Sequence, residues 1–436
     1  AGLAVGVRRG AGGGRGRLRR APVVRGLLAV LLALAATCVV AAEPAPRVLH
    51  IGTSGDYAPF SRRADGVLQG FDIDLAEAFA AARGYAIEWV PFTWPDLAAD
   101  FAAGRFDLVM SGITVRADRS IAGRFSVPVA TSGAVLLYDT RVHPAGVEVD
   151  DFDRAGLRLA VNRGGHLERV TRARFARAEV RALADNAAVR RQLVDGAVDA
   201  VVTDTLEAPG WRRGLDHVGQ AGPWTTDRKA YWLAPGQDAL AAELDAWLLA
   251  READGTLARL RHTAFGDAVQ APTATPLAAL LAAIDERLAL MPLVAAAKRR
   301  DGRALEDRAR EATVLDAAWR AVRAAAGEAG ARPEEAAVRA FYAVQIEAAK
   351  FVQARELART DAASDAPDLQ QALRPALLRI GQRMAALVVA LHRAGVPPDI
   401  DRRLADELRS WALPAALLTR LAAATAALAP VAERAP

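Results

Sequence analysis

From Arg47 to Gly266 short apolar runs alternate with amphipathic stretches. The runs at Val48–Ile51, Ile87–Val90, Leu108–Met110, Leu157–Val161 and Ala200–Val202 predict strands. Apolar positions spaced three and four apart predict helices over Asp74–Ala82, Trp94–Ala103, Ala187–Asp195 and Ala239–Asp254. Such alternation predicts a largely parallel sheet covered on both faces. The Thr- and Pro-containing stretch 267–276 predicts a linker. After it the pattern becomes helical throughout, and Ala, Leu, Arg and Glu dominate. Helices are predicted at Leu277–Arg300, Glu306–Ala325, Pro333–Thr360 and Asp368–Arg393, with a helical tail over Asp401–Leu428. Pro292 should kink the first of them. The fold class is therefore multidomain, an α/β part followed by an all-α part.

Residues 1–42 stand apart. An Arg-rich stretch precedes the apolar run Gly26–Val40, and Ala41 and Ala42 then lead into Glu43. Basic, apolar and small in that order predicts a secretory signal peptide cleaved after Ala42, and hence a periplasmic or secreted protein. The apolar run is too short for a comfortable membrane span, so no stable membrane anchor is expected.

The leader also changes the charge picture. The whole chain carries +5, but 1–42 holds seven Arg and no acid, so the remainder stands at −2. That gives no case for a nucleic-acid partner. The single cysteine, Cys38, lies in the leader, which excludes thiol chemistry, disulfides and Cys-built metal sites after it. No metal and no cofactor is expected. Of 56 basic residues only Lys229, Lys298 and Lys350 are lysines, and each is a candidate for a role that needs a compact point charge.

Three groups of residues suggest binding chemistry in the first part. Arg119 offers a fork for a carboxylate, and Ser111 and Thr114 offer hydroxyls to the same group. Gly164 and Gly165 allow backbone N–H groups close to an anion at a helix start. Glu168 follows in that helix, and Tyr57 and Trp94 are large aromatics suited to cleft walls. The segments Thr53-Ser-Gly-Asp-Tyr57-Ala-Pro-Phe60-Ser, Gly70-Phe-Asp-Ile-Asp-Leu75, Asp107-Leu-Val-Met-Ser111-Gly-Ile-Thr114 and Arg119…Phe125-Ser126 resemble the periplasmic amino-acid-binding proteins over 47–266. Thr93-Trp94-Pro95-Asp96-Leu97, Val161-Asn162-Arg-Gly164-Gly165-His166-Leu-Glu168, Thr203-Asp204-Thr-Leu-Glu207 and Lys229-Ala-Tyr231 are more closely similar to the exported cyclohexadienyl dehydratases, which share that fold.

The resemblance implies a two-lobed periplasmic-binding-protein-like domain over 43–266. It implies a ligand carboxylate on Arg119, contacts from Asn162, Gly165, His166 and Lys229, and Glu168 as the acid that protonates a leaving hydroxyl. Burial beside an anionic ligand would raise that carboxyl pKa. The family reads Gly-Gly-Thr-Asn-Glu where this chain has Gly164-Gly165-His166-Leu167-Glu168, and Leu167 cannot hydrogen-bond. Asp204 would pair with an α-ammonium or cap the helix that follows it, so prephenate and arogenate both stay open as substrates.

The helical part holds cations and amides at helix-compatible spacing. Arg287 and Lys298 are eleven residues apart, Gln345 and Gln353 eight apart, and each pair shares a helix face. With Arg310, Glu311 and Arg374 they suit electrostatic rather than covalent catalysis. Ile284-Asp-Glu-Arg287-Leu…Lys298, Glu306-Asp-Arg-Ala-Arg310-Glu311, Phe341-Tyr-Ala-Val-Gln345…Lys350-Phe-Val-Gln353 and Asp368-Leu…Arg374-Pro resemble the exported all-helical chorismate mutases over about 280–392. The resemblance implies that Arg287, Arg310 and Arg374 clamp carboxylates, that Lys298 and Gln353 hold the ether oxygen and that Glu311 faces the hydroxyl.

Together these expectations describe a bifunctional exported enzyme. Its mutase would occupy 277–395 with a tail over 396–436, and its small-molecule partners would be chorismate, prephenate and possible arogenate. Two other readings remain: an amino-acid or aromatic-acid receptor with a helical partner-docking module, and an active mutase beside a degenerate dehydratase. Homo-oligomer formation is left open by the sequence.

Overall fold

The computed structural model describes residues 46–143, 146–266, 268, 271–328, 330–359 and 366–430. The expected signal peptide with Cys38 lies outside these residues. Two α/β lobes form the first half. In the first lobe the strands run in the order Ala86–Pro91, Val48–Thr53, Leu108–Val109, Trp232–Leu233, Arg124–Phe125. In the second the order is Glu179–Leu183, Arg158–Asn162, Ala200–Asp204, Ala134–Asp139, Val218–Ala221.

In each sheet three strands are parallel and the other two run antiparallel to their neighbours. Four of the five strands in each sheet therefore run the same way, as expected of a largely parallel sheet, and one is reversed, Trp232–Leu233 in the first and Ala134–Asp139 in the second. The antiparallel members come where the chain passes between lobes. It leaves the first lobe through Ala130–Ser132 and returns through Asp227–Lys229, and these two strands pair with each other as the hinge. The predicted strands and helices of this half all appear, within a few residues of their expected ends.

In the second half the predicted first helix is two, Pro276–Ala289 and Met291–Arg300, separated at Leu290. Pro292 has no N–H to give to the preceding turn, so the ladder stops rather than bending through. Further helices follow at Arg308–Ala326 and Glu335–Leu357. The next begins as a π turn at Leu369–Leu373 and continues as Arg374–Ala394. Asp368 caps that start by accepting from the Gln370 and Gln371 amides. The tail forms Ile400–Glu407 and Ala415–Ala426. It packs on the Pro276–Ala289 and Glu335–Leu357 helices, and Leu404, Leu421 and Leu428 are fully buried.

The two halves share one apolar core. Phe125, Trp232 and Leu233 of the first lobe belong to the same buried cluster as Leu280, Ile284 and Met384. Within 267–276, expected as a linker, Thr273 and Ala274 are buried, and the Ala274 amide donates to Glu252. The second lobe keeps two cores of its own, one on each face of its sheet.

Polar groups fix the contact. Glu286 accepts from Ser120 of the first lobe and pairs with Arg383, which also donates to the Phe125 carbonyl. Arg379 donates to the Ser120 and Ile121 carbonyls, where cationic charge complements the end of the Ala117–Ala122 helix. On the hinge, Arg228 is held between Asp285 and Glu407.

Candidate functional site

The cleft between the lobes encloses a free volume of only about 30 Å³. Two close approaches shape it. Gly164 has φ +80°, and a Cβ there would lie 2.6 Å from the Pro95 backbone across the cleft. Gly112 has φ +62° and lies under the Tyr57 ring. Only glycine suits either place.

Of the residues singled out in the sequence, Tyr57, Trp94, Thr114, Arg119, Asn162, Gly165, His166 and Lys229 line the cavity. Arg119 is almost fully buried; burial and then the neighbouring Arg116 lower its guanidinium pKa to about 9. It donates to the Thr114 carbonyl at 3.0 Å. Among the described residues no carboxylate stands within ion-pair distance of it. A buried cation without a counter-charge is expensive unless a ligand supplies one. Asn162 Nδ2 and His166 Nδ1 are buried there without partners, while His166 Nε2 lies 2.9 Å from Asp227.

Ser111, Asp204 and Glu168 stand outside this lining. Ser111 is fully buried and bonded to Ser54. Asp204 is also fully buried and accepts from Tyr57 and from the Leu206 and Glu207 amides, with Lys229 at 3.3 Å. Asp204 thus caps the following turn, as one of its two expected roles has it, and its cationic neighbour is Lys229 of the protein itself. The Glu168 carboxylate turns back on its own helix, accepting from the Gly164 amide at 2.7 Å and from Arg172 at 2.9 Å.

The carboxyl group that does line the cavity is Glu207. Its oxygens meet Asn186 at 2.7 Å and Thr203 at 2.6 Å. Burial, and next the charge of Asp204, raise its pKa to about 8. Sequence reading placed Glu207 in a family motif without a role and did not single out Asn186. The only signal was that Glu207 lies one helical turn beyond Thr203 and Asp204 at the end of an apolar strand.

The raised pKa has a thermodynamic sign. Between about 4.5 and 8 the folded chain holds a proton on Glu207 that the unfolded chain releases, so this group makes stability fall as pH rises through that window. Thermal unfolding of Glu207→Gln across pH 5–8 should show a shallower decline than the parent. An identical slope in both proteins would rule that out.

A second cavity, of about 510 Å³, lies inside the helical half. Arg287, Lys298, Arg310 and Arg374 all line it, and no acidic residue does. They come from four different helices, so the convergence is tertiary. Arg287 is half-buried, its guanidinium pKa is lowered by desolvation, and it donates to the Gln345 carbonyl. Lys298 donates to the Leu305 carbonyl at 2.8 Å, and burial lowers its pKa while Asp307 and Glu311 oppose the shift.

A smaller adjoining pocket shares Arg287, Lys298 and Arg310 and adds two acids, Asp307 and Glu311, with Lys350 and Gln353. Glu311 pairs with Lys350 at 3.2 Å. The Oε1 of Gln353 is buried without a partner, as is the hydroxyl of Tyr342, a lining residue the sequence reading did not single out. The Gln345 side chain, fully buried and unpartnered, lines neither pocket.

Comparison with known proteins adds the following. The family described as bacterial extracellular solute-binding proteins, family 3, matches residues 49–267. A cyclohexadienyl dehydratase of Pseudomonas aeruginosa is 35% identical over 220 residues, which is 49% of this chain and 82% of that protein. An L-cystine-binding protein of Escherichia coli is 26% identical over 221 residues, 50% of this chain and 82% of its own. Among solved structures, an ancestral amino-acid-binding protein described as a precursor of cyclohexadienyl dehydratase aligns with 30% identity and a TM-score of 0.48. That alignment covers 50% of this chain and 95% of the ancestral one.

Proposed function

The chain belongs to the bacterial extracellular solute-binding proteins, family 3, and from that premise we propose that it is a bifunctional exported enzyme. The helical half converts chorismate to prephenate, and the clamshell converts prephenate to phenylpyruvate. The identity to a cyclohexadienyl dehydratase across the clamshell carries the second activity. The cavity lined by four cations and no acid carries the first. The dehydratase occupies 43–266, and the mutase takes 277–395 with 396–436 as its tail.

In the clamshell, Arg119 and the Thr114 hydroxyl receive a substrate carboxylate, and Asn162, Gly165 and His166 face the second one. A carboxylic acid protonates the ring hydroxyl, which leaves as water. The bond to the ring carboxylate breaks, its electron pair enters the ring, and carbon dioxide departs. The resemblance assigns the acid to Glu168, whereas Glu207 is the carboxyl that lines the cavity and retains its proton near neutrality. The two assignments predict different variants. If Glu207 is the donor, Glu207→Gln loses about a hundredfold or more in prephenate turnover and Glu168→Gln little. The reverse ranking assigns the step to Glu168.

In the helical cavity the reaction needs no nucleophile. The ether C–O bond breaks as a C–C bond forms, and negative charge grows on the departing oxygen. Arg287, Arg310 and Arg374 fix the two carboxylates, and Lys298 with Gln353 stabilises that oxygen. Such contacts are stronger in the transition state than in the ground state.

The test is the full chain given chorismate alone, following chorismate loss and phenylpyruvate appearance together. Both should occur. Loss of chorismate with accumulated prephenate would leave only the mutase. The likeness to an L-cystine-binding protein supports a second reading of the clamshell as an amino-acid receptor, and tight binding of an amino acid without turnover of prephenate would favour it.

A further inference from the structure

Every charged group that lines the helical cavity is a donor: Arg287, Lys298, Arg310 and Arg374 have N–H to give and nothing to accept with. One neutral donor stands among them. Tyr342, on the Glu335–Leu357 helix, lines the same cavity with only 6% of its surface exposed. Its hydroxyl is buried and makes no hydrogen bond within the chain. A buried hydroxyl without a partner is costly, and phenylalanine would fill the same space without that cost. The ring packs edge-on against Phe341, with centroids 5.3 Å apart, so shape asks for the ring and not for its oxygen.

The place of that oxygen narrows what can pair with it. Arg287 donates to the carbonyl of Gln345, three residues along the same helix, at 3.1 Å. The guanidinium and the phenol are close enough for the cation to work against the burial that raises the Tyr342 pKa. An N–H from Arg287 to the phenol oxygen would still leave the O–H without an acceptor. Neither Thr313, whose hydroxyl turns to the Ala309 carbonyl at 2.9 Å, nor the Gln382 amide supplies one. The acceptor must therefore arrive with a ligand, and among four cations that ligand is an anion.

We propose that the Tyr342 hydroxyl receives a ligand carboxylate together with Arg287, each donating to one of its two oxygens. The identity of the substrate rests on the mutase reading, whereas the pairing with a carboxylate rests on the cavity alone. The role is substrate binding. A carboxylate that stays charged throughout the rearrangement is held equally in the ground and transition states, so this bond lowers KM rather than raising kcat. In this it differs from Lys298, which faces the oxygen on which charge grows.

The test is Tyr342→Phe in the full chain, which removes one oxygen and no bond internal to the protein. KM for chorismate should rise by about tenfold or more, as expected for loss of a hydrogen bond to a charged group, while kcat changes little. The ligand-free variant should unfold at the parent's temperature or above it. Isophthalate, a dicarboxylate that cannot rearrange, should raise the unfolding temperature of the parent more than that of the variant. Tyr342 lies outside the cleft, so any binding there contributes equally to both. An unchanged KM, or a fall confined to kcat, overturns the proposal. So does a ligand-free variant clearly less stable than the parent, which would show that the hydroxyl is bonded within the protein. If the parent leaves chorismate untouched, the mutase reading falls and the isophthalate shifts still decide: equal shifts in parent and variant overturn the carboxylate pairing.

Discussion

Replacing Lys298 with alanine is expected to lower the rate of chorismate consumption by about a hundred- to a thousandfold. The cavity it lines brings four cations together without an acidic residue among them. Three are arginines, whose planar forks suit carboxylates. Lys298 is the compact charge of the set, partly desolvated, and it donates to the Leu305 carbonyl rather than to a carboxylate. A compact charge in that setting stabilises an oxygen on which charge is still growing. KM should change much less than kcat, because the arginines that hold the carboxylates remain. A fall confined to KM would make Lys298 a ground-state contact and would count against its role in the rearrangement. Phenylpyruvate formation from added prephenate should survive in this variant, since the cleft keeps its side chains.

The second large effect concerns stability. Glu286 and Arg383 form a buried ion pair, and Glu286 also accepts from Ser120 at 2.8 Å. Truncating Glu286 to alanine leaves Arg383 buried without this counter-charge and Ser120 with only the Arg116 carbonyl as acceptor. The expected cost is about 3–5 kcal/mol, read from chemical denaturation of the full chain. Converting both partners, Glu286→Leu with Arg383→Met, should recover much of the loss, because it is the isolated charge that is costly. A double variant as unstable as the single would show that geometry rather than charge holds the contact.

Much of this architecture was legible in one dimension. Short apolar runs located the strands of both lobes and three-and-four spacing located the long helices, since burial leaves those signatures whatever the tertiary context. The antiparallel strands of each sheet were not legible, because a pattern of apolar positions carries no strand direction. Pro292 was visible as a disturbance, but whether a proline kinks a helix or ends it depends on what packs beside it. Within the cleft, residues on loops and strand ends were found through motifs. Glu207 was passed over because its importance comes from burial beside Asp204, a property of the folded chain. Spacing paired Arg287 with Lys298 on one helix face, but the break at Leu290 puts them on two helices, and the meeting of the cations across four helices could not be derived from spacing. The outward face of the hinge strand was equally hidden: Arg228 alternates with Asp227 and Lys229, so it points away from the cleft and into Asp285 and Glu407.

That alternation bears on how the molecule can be taken apart. A clamshell cut free at residue 266 would keep its own strands, yet Arg228 would lose both carboxylates, and the Phe125 carbonyl would lose Arg383. Such a fragment would present a raw apolar and charged scar on its first lobe. Its properties would report the wound as much as the native protein. Supplying 271–430 as a separate polypeptide should heal that scar by complementation in trans, with the two pieces reassembling across the surface they share within one chain.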